Sequence, residues 1–119
     1  MSPTTDPNCV FCRIVSGEIR ADIVAETDNA FAFRDLAPQA PIHVLVAPRR
    51  HLAALRDVRD SDTELLGEML LLTREVAKRE GLFAGGFRVI TNDGPDAGQT
   101  VPHLHFHVLG GQPLTAPLG

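Results

Sequence analysis

The sequence predicts an α+β domain in which about five antiparallel strands form a sheet against one main helix, with short helices beside it. Three observations predict it. Residues 42–47, IHVLVA, are a near-continuous apolar run stopped by Pro48, as expected of a central strand. Leu65, Met69, Leu72 and Val76 recur at i, i+4, i+7 and i+11, the apolar stripe of an amphipathic helix. Residues 103–108, HLHFHV, alternate strictly, as a strand with two different faces does.

The remaining elements follow in order. Residues 1–8, rich in Pro, Thr and Asp, read as a flexible tail, and 9–119 as a single domain. A short helix spans 9–15 and ends at Ser16-Gly17. Residues 23–27 and 30–35 flank Asp28-Asn29 as a hairpin, and Phe31 and Phe33 give the second strand one buried face. Prolines 38 and 41 bracket a turn ahead of the central strand. Residues 49 to about 58 read as a short helix carrying His51. Ser61-x-x-Glu64 resembles a capping box for the main helix, and Gly81 falls where a left-handed C-terminal residue is expected. A strand at 87–92, a Gly/Pro/Asp-rich loop at 93–102 and a last strand at 103–109 complete the sheet. The tail beyond Gly111 carries two prolines and reads as irregular.

Composition excludes several function classes. With 11 Lys+Arg against 15 Asp+Glu, the net charge of −4 gives no electrostatic reason to bind nucleic acid. No apolar run approaches the ~20 residues of a membrane span, and the polar start MSPTTDPN is no signal peptide. The expectation is a cytoplasmic protein without a nucleic-acid or membrane partner.

Chemistry concentrates in five His and two Cys. Cys9-x-x-Cys12 has too few residues before it for the strand of a redox motif, and no further Cys for a four-thiolate zinc site. It is half of a Cys2His2 site or two incidental thiols. In the last strand His103, His105 and His107 share one face, with Leu104, Phe106 and Val108 on the other. Over four residues at ~3.3 Å each, His103 and His107 stand too far apart to share one ion, so the row divides between tasks. One end of it can serve the thiolates, with His51 freer than His43 to supply the second imidazole. The other His sit beside loop 93–102, where Gly94, Gly98, Asn92, Gln99 and Thr100 can offer donors to an anion. Neutral imidazole is an available nucleophile near pH 7, which together with the loop points to phosphate chemistry.

HLHFHVL at 103–109 matches the signature of the histidine triad (HIT) family at every position, and the chain resembles that family over about residues 9–111. The stretches RDLAPQAPIHVLVAPRRHL and NDGPDAGQTVPHLHFHVLGG extend the likeness, which is greatest to the Hint branch of nucleoside phosphoramidate hydrolases carrying an N-terminal C-x-x-C. The resemblance implies a HIT-like fold whose sheet continues across a homodimer. It implies hydrolysis at the α-phosphate of purine nucleoside 5′-phosphoramidates through a nucleotidyl-histidine. His105 would be the nucleophile, His107 would contact the phosphate and leaving group, and His43 would support the nucleophile. Asp35 would hold the ribose; Asn92, Gly98, Gln99 and Thr100 would line the phosphate pocket; Val10, Phe11, Ile14, Phe33 and Leu36 would enclose the purine. Structural zinc would sit on Cys9, Cys12, His51 and His103. By residue type alone, His43 reads as core and Asp35 as a turn former; their roles come from the resemblance. The alternatives are a dinucleoside polyphosphate hydrolase of the same family and a non-catalytic nucleotide-binding or interaction module.

Overall fold

The computed structural model describes residues 5–114. The expected tail 1–8 and the tail beyond Gly111 therefore lie partly outside the described residues. Five strands, β1 (Ile23–Glu26), β2 (Ala30–Arg34), β3 (Ile42–Pro48), β4 (Phe87–Ile90) and β5 (Phe106–Gly110), form one sheet in the order β1-β2-β3-β5-β4. Every neighbouring pair is antiparallel. Helix α1 (Val10–Val15) and helix α2 (Thr63–Arg79) cover opposite faces.

Period-two alternation sorts the strand residues between these faces. Ala30, Ala32, Val44, Val46, Phe106 and Val108 meet Met69, Leu72, Val76 and Ala77 of α2 in the main core. On the other face Phe31, Phe33, Leu45 and Ala47 meet Phe11 and the two cysteines of α1. Residues Ala30 to Phe33 are therefore all buried, and β2 is covered on both faces where one was expected. The cause is α1, a single short helix placed over the Phe row.

Three local expectations are corrected. The segment after Pro48 is not helical until a single 3-10 turn at Leu55–Asp57. Its backbone is needed elsewhere, because the Leu52 carbonyl accepts the Leu104 N–H at 2.6 Å. The main helix is not opened by Ser61 and Glu64. Instead Asp62 accepts from the Arg59 N–H at 2.9 Å and from Arg50 at 2.6 Å, which forms a 3-10 turn before Thr63. The last strand starts at Phe106, not at 103, because residues 103–105 direct their backbone groups to loops and to a histidine ring.

The C-terminus of α2 matches expectation. Gly81 has φ of +75°, its N–H donates to the Lys78 carbonyl, and the Leu82 N–H donates to the Ala77 carbonyl. This double closure satisfies carbonyls the helix leaves unpaired. Nothing lies within 4 Å of a Cβ added at Gly81, so Gly81→Ala should cost only the backbone strain of a left-handed Ala, about 1 kcal/mol. Urea unfolding should show a lowered midpoint with an unchanged slope; no shift at all would contradict this.

Candidate functional site

Beneath α1, two thiols and two imidazoles converge. Cys9 Sγ lies 3.3 Å from His103 Nδ1, and Cys12 Sγ lies 3.4 Å from His51 Nδ1 and 3.7 Å from His103 Nδ1. The two Nδ1 atoms are 3.3 Å apart. His103 Nε2–H donates to the Pro48 carbonyl at 2.8 Å, so in the neutral ring the Nδ1 lone pair faces the cluster. Burial holds His103 down at about 4 and raises the Cys12 thiol. Four-coordinate geometry with metal–N near ~2.1 Å and metal–S near ~2.3 Å sets donor edges of about 3.4 Å for N···N and about 3.6 Å for N···S. The observed edges match, and all four donors lie within 4.8 Å of one another. This group could hold a metal, whose positive charge would offset the desolvation that burial imposes on a Cys12 thiolate. His51 reaches it from an extended segment, not from the helix expected for it.

On the same face, a directed chain of imidazoles follows. The Gln39 N–H donates to His43 Nδ1 at 3.0 Å, so neutral His43 carries its proton on Nε2. That Nε2 lies 2.8 Å from His107 Nδ1 and 3.4 Å from Asp35 Oδ2. His107 thus accepts at Nδ1 and presents Nε2–H. His105 donates Nδ1–H to the His103 carbonyl at 2.6 Å, leaving the Nε2 lone pair free. The rings of His105 and His107 are 4.9 Å apart. Burial lowers the affinity of His43, His105 and His107 for protons, and His107 is held at about 4. The three are neutral together at pH 7.

These rings open into a cleft of about 280 Å³. Val10, Phe11, Ile14, Phe33, Asp35, Leu36, Thr100, His105 and His107 all line it. Phe11 packs edge-on against both Phe33 and His105. Leu36, 98% exposed, stands at the mouth. Asn92, Gly98 and Gln99 do not line the cleft. Gln99 accepts the Gly94 N–H and donates to the Ala53 and Val101 carbonyls, so its amide holds the loop in shape. His43 stands behind His107. Ile19, Arg20, Ala21, Arg34, Leu45 and Val101 also line the cleft, and the sequence reading missed them. Gly17, with φ of +83° just after α1, is the signal that the chain turns back there and brings 19–21 to the wall.

The pattern that defines the HIT domain matches residues 16–114. The chain belongs to the HIT domain family. An uncharacterised HIT-like protein of Synechococcus elongatus is 48% identical over 110 residues, covering 92% of this chain and 96% of that protein. The adenylylsulfatase HINT1 of Arabidopsis thaliana is 41% identical over 120 residues, covering 99% and 80%. Among solved structures, a HIT family hydrolase from Legionella pneumophila superposes with a TM-score of 0.90 at 46% identity, covering 94% of this chain and 100% of that one. A HIT family hydrolase from Clostridium thermocellum superposes with a TM-score of 0.92 at 38% identity, covering 96% and 99%. The five-stranded antiparallel sheet with one main helix is thus the HIT fold, and the chain is similar to hydrolases of that family.

In this HIT domain the cysteine-histidine cluster and the imidazole chain share His103 and His105 as near neighbours, so a metal at the cluster would also brace the cleft. Metal analysis of protein purified without chelators should find one bound ion per chain. A Cys12→Ser variant should lose that ion and melt at a lower temperature. A well-folded wild-type preparation free of metal would overturn the expectation.

Proposed function

We propose that the protein hydrolyses purine nucleoside 5′-phosphoramidates through a covalent nucleotidyl-His105 intermediate. The observation that carries this reading is the fixed tautomer of His105, whose Nδ1–H is held by the His103 carbonyl. The Nε2 lone pair then attacks the α-phosphorus. As the Nε2–P bond forms, the ring gains positive charge and its bond to the carbonyl becomes charge-assisted. The P–N bond breaks, and the departing nitrogen's electron pair takes a solvent proton. His107 Nε2–H donates a hydrogen bond at the phosphate and leaving atom, with His43 fixing its tautomer from behind. In the second half a water oxygen attacks phosphorus, the Nε2–P bond breaks, and a proton returns to solvent.

The side chains around this centre take the remaining parts of the substrate. Asp35 Oδ1 accepts the Ala37 N–H at 2.8 Å, which orients the carboxylate toward ribose hydroxyls at the cleft. Thr100 would donate to a phosphoryl oxygen, with Asn92 and Gly98 in the supporting loop and Gln99 as its brace. Val10, Phe11, Ile14, Phe33 and Leu36 would enclose the purine. For the metal we assign zinc, since two thiolates and two imidazoles in tetrahedral array suit it, and with no open position its part is structural.

A second leaving group is favoured by one observation, the likeness to a protein named adenylylsulfatase. Adenylyl sulfate presents the same α-phosphorus, and sulfate departs without needing a proton. A panel of adenosine phosphoramidate, adenylyl sulfate and diadenosine polyphosphate ranks these readings.

His105→Ala should lose roughly 10⁴-fold or more in kcat, and acid-quenched wild-type enzyme should carry a nucleotidyl mass on His105. Wild type and variant equally inert, with AMP still bound, would sink the enzyme reading. Protonation of His105 removes the attacking lone pair, and protonation of His107 breaks the hydrogen bond that its Nδ1 accepts from His43. Because burial lowers both pKa values, His107's to about 4, kcat/KM should stay flat as pH falls past 6.5 and decline only below it. An acid limb centred on 6.5 with a non-titrating substrate would contradict the buried, neutral site.

The same reading places a second copy against β4, an outer strand of the sheet. Phe83 and Phe87 are stacked there at 6.2 Å and, with Val89, are exposed. Light scattering should give twice the chain mass at micromolar concentration; monomer throughout a dilution series would contradict it.

A further inference from the structure

The geometry points to Arg20 as the residue that selects the base, favouring a 6-oxopurine over adenine; this rests on the nucleotide reading above. Strand register orders the cleft from end to end. His107 pairs with Leu45, Leu45 with Phe33, and Phe33 with Ile23, so one row of residues crosses β5, β3, β2 and β1. Neighbouring strands lie ~4.8 Å apart, which puts β2 about 10 Å and β1 about 14 Å from the His107 strand. A nucleotide with its phosphate at His105 and His107 and its ribose at Asp35 therefore points its base along this row toward β1. Arg20 lines the cleft three residues before β1 begins.

Among the described residues two cations line the cleft, and one of them is uncommitted. The Arg34 guanidinium is held by Glu80 and Asp22. Arg20 is exposed and has no hydrogen bond or ion pair with any described residue. The same cleft wall carries the apolar Ile14, Ile19 and Phe33. A guanidinium offers donors only, in a planar fork. The far end of a purine from its ribose carries the C6 substituent. In guanine, O6 and N7 are both acceptors and match the fork; in adenine the 6-amino group is itself a donor and opposes it. Arg20 thus favours guanine and hypoxanthine nucleotides and is neutral toward adenine at best.

The test is isothermal titration of the full-length protein with GMP, IMP and AMP, repeated on Arg20→Ala and Arg20→Lys. Wild type should bind GMP and IMP about five- to tenfold more tightly than AMP, the lower end for a bidentate contact on an exposed arginine. Arg20→Ala should bring all three within twofold, by weakening GMP and IMP and not AMP, and Arg20→Lys should restore only part of the preference. IMP following AMP instead of GMP would assign recognition to the 2-amino group and overturn the proposal. So would equal binding of all three by wild type, or Arg20→Ala weakening all three alike, which would mark a general attraction to phosphate. These outcomes leave the nucleotide reading standing. No binding of any nucleotide would overturn that reading and this inference together.

Discussion

The hydrogen bond from His105 Nδ1 to the backbone carbonyl of His103 is the constraint on which the site depends. It joins two sites through one residue. The ring of His103 faces the thiols on one side and the Pro48 carbonyl on the other, while its backbone carbonyl sets the tautomer of His105, the proposed nucleophile. A ring anchored at both nitrogens cannot turn, which steadies the backbone carbonyl of the same residue as well. Phe11 adds a second link, because it sits between the cysteines in sequence and packs on both His103 and His105. On the proposed mechanism, the cysteine-histidine cluster would act on catalysis by holding that backbone oxygen in place.

The partner pair, His43 and His107, depends on register. His43 opposes Leu109 and His107 opposes Leu45, so the two imidazoles are diagonal neighbours on one face of an antiparallel pair. A one-residue slip would turn one of them into the α2 core and leave the other alone. The large apolar core on the opposite face forbids that slip, since Val44, Val46, Phe106 and Val108 are committed to it. Stability on one face of the sheet thus specifies chemistry on the other.

How much of this was legible in the sequence follows from which signals are local. The alternation HLHFHV placed three His on one face even though the regular strand begins only at Phe106, because alternation of side chains survives where ladder bonds do not. The main helix was legible from its stripe, but its start was not, because Asp62 is engaged by Arg50 across the chain. The four cluster residues came from ligand counting and resemblance together, and the structure brings their donor atoms into one group. What stayed hidden were the contributions of tertiary turning. Segment 19–21 carries no motif, and it reaches the cleft only because α1 ends in a left-handed glycine. Gln99 was legible as a loop donor, but not that the loop itself would take up its amide.

Charge explains why a site with three imidazoles would suit the proposed anionic substrate without being cationic. His43, His105 and His107 lie so close together that one protonated ring disfavours a second, and burial disfavours the first. The cluster then presents lone pairs and N–H dipoles, oriented in one direction from the Gln39 amide to the cleft. In the proposed mechanism positive charge appears only when Nε2 bonds to phosphorus, at the step where the His103 carbonyl already waits on the opposite nitrogen. A site charged beforehand would hold the ground-state phosphate more tightly and lose the nucleophile in the same act. Neutral, ordered imidazoles keep the favourable interaction for the moment the bond forms, which is where binding energy raises the rate.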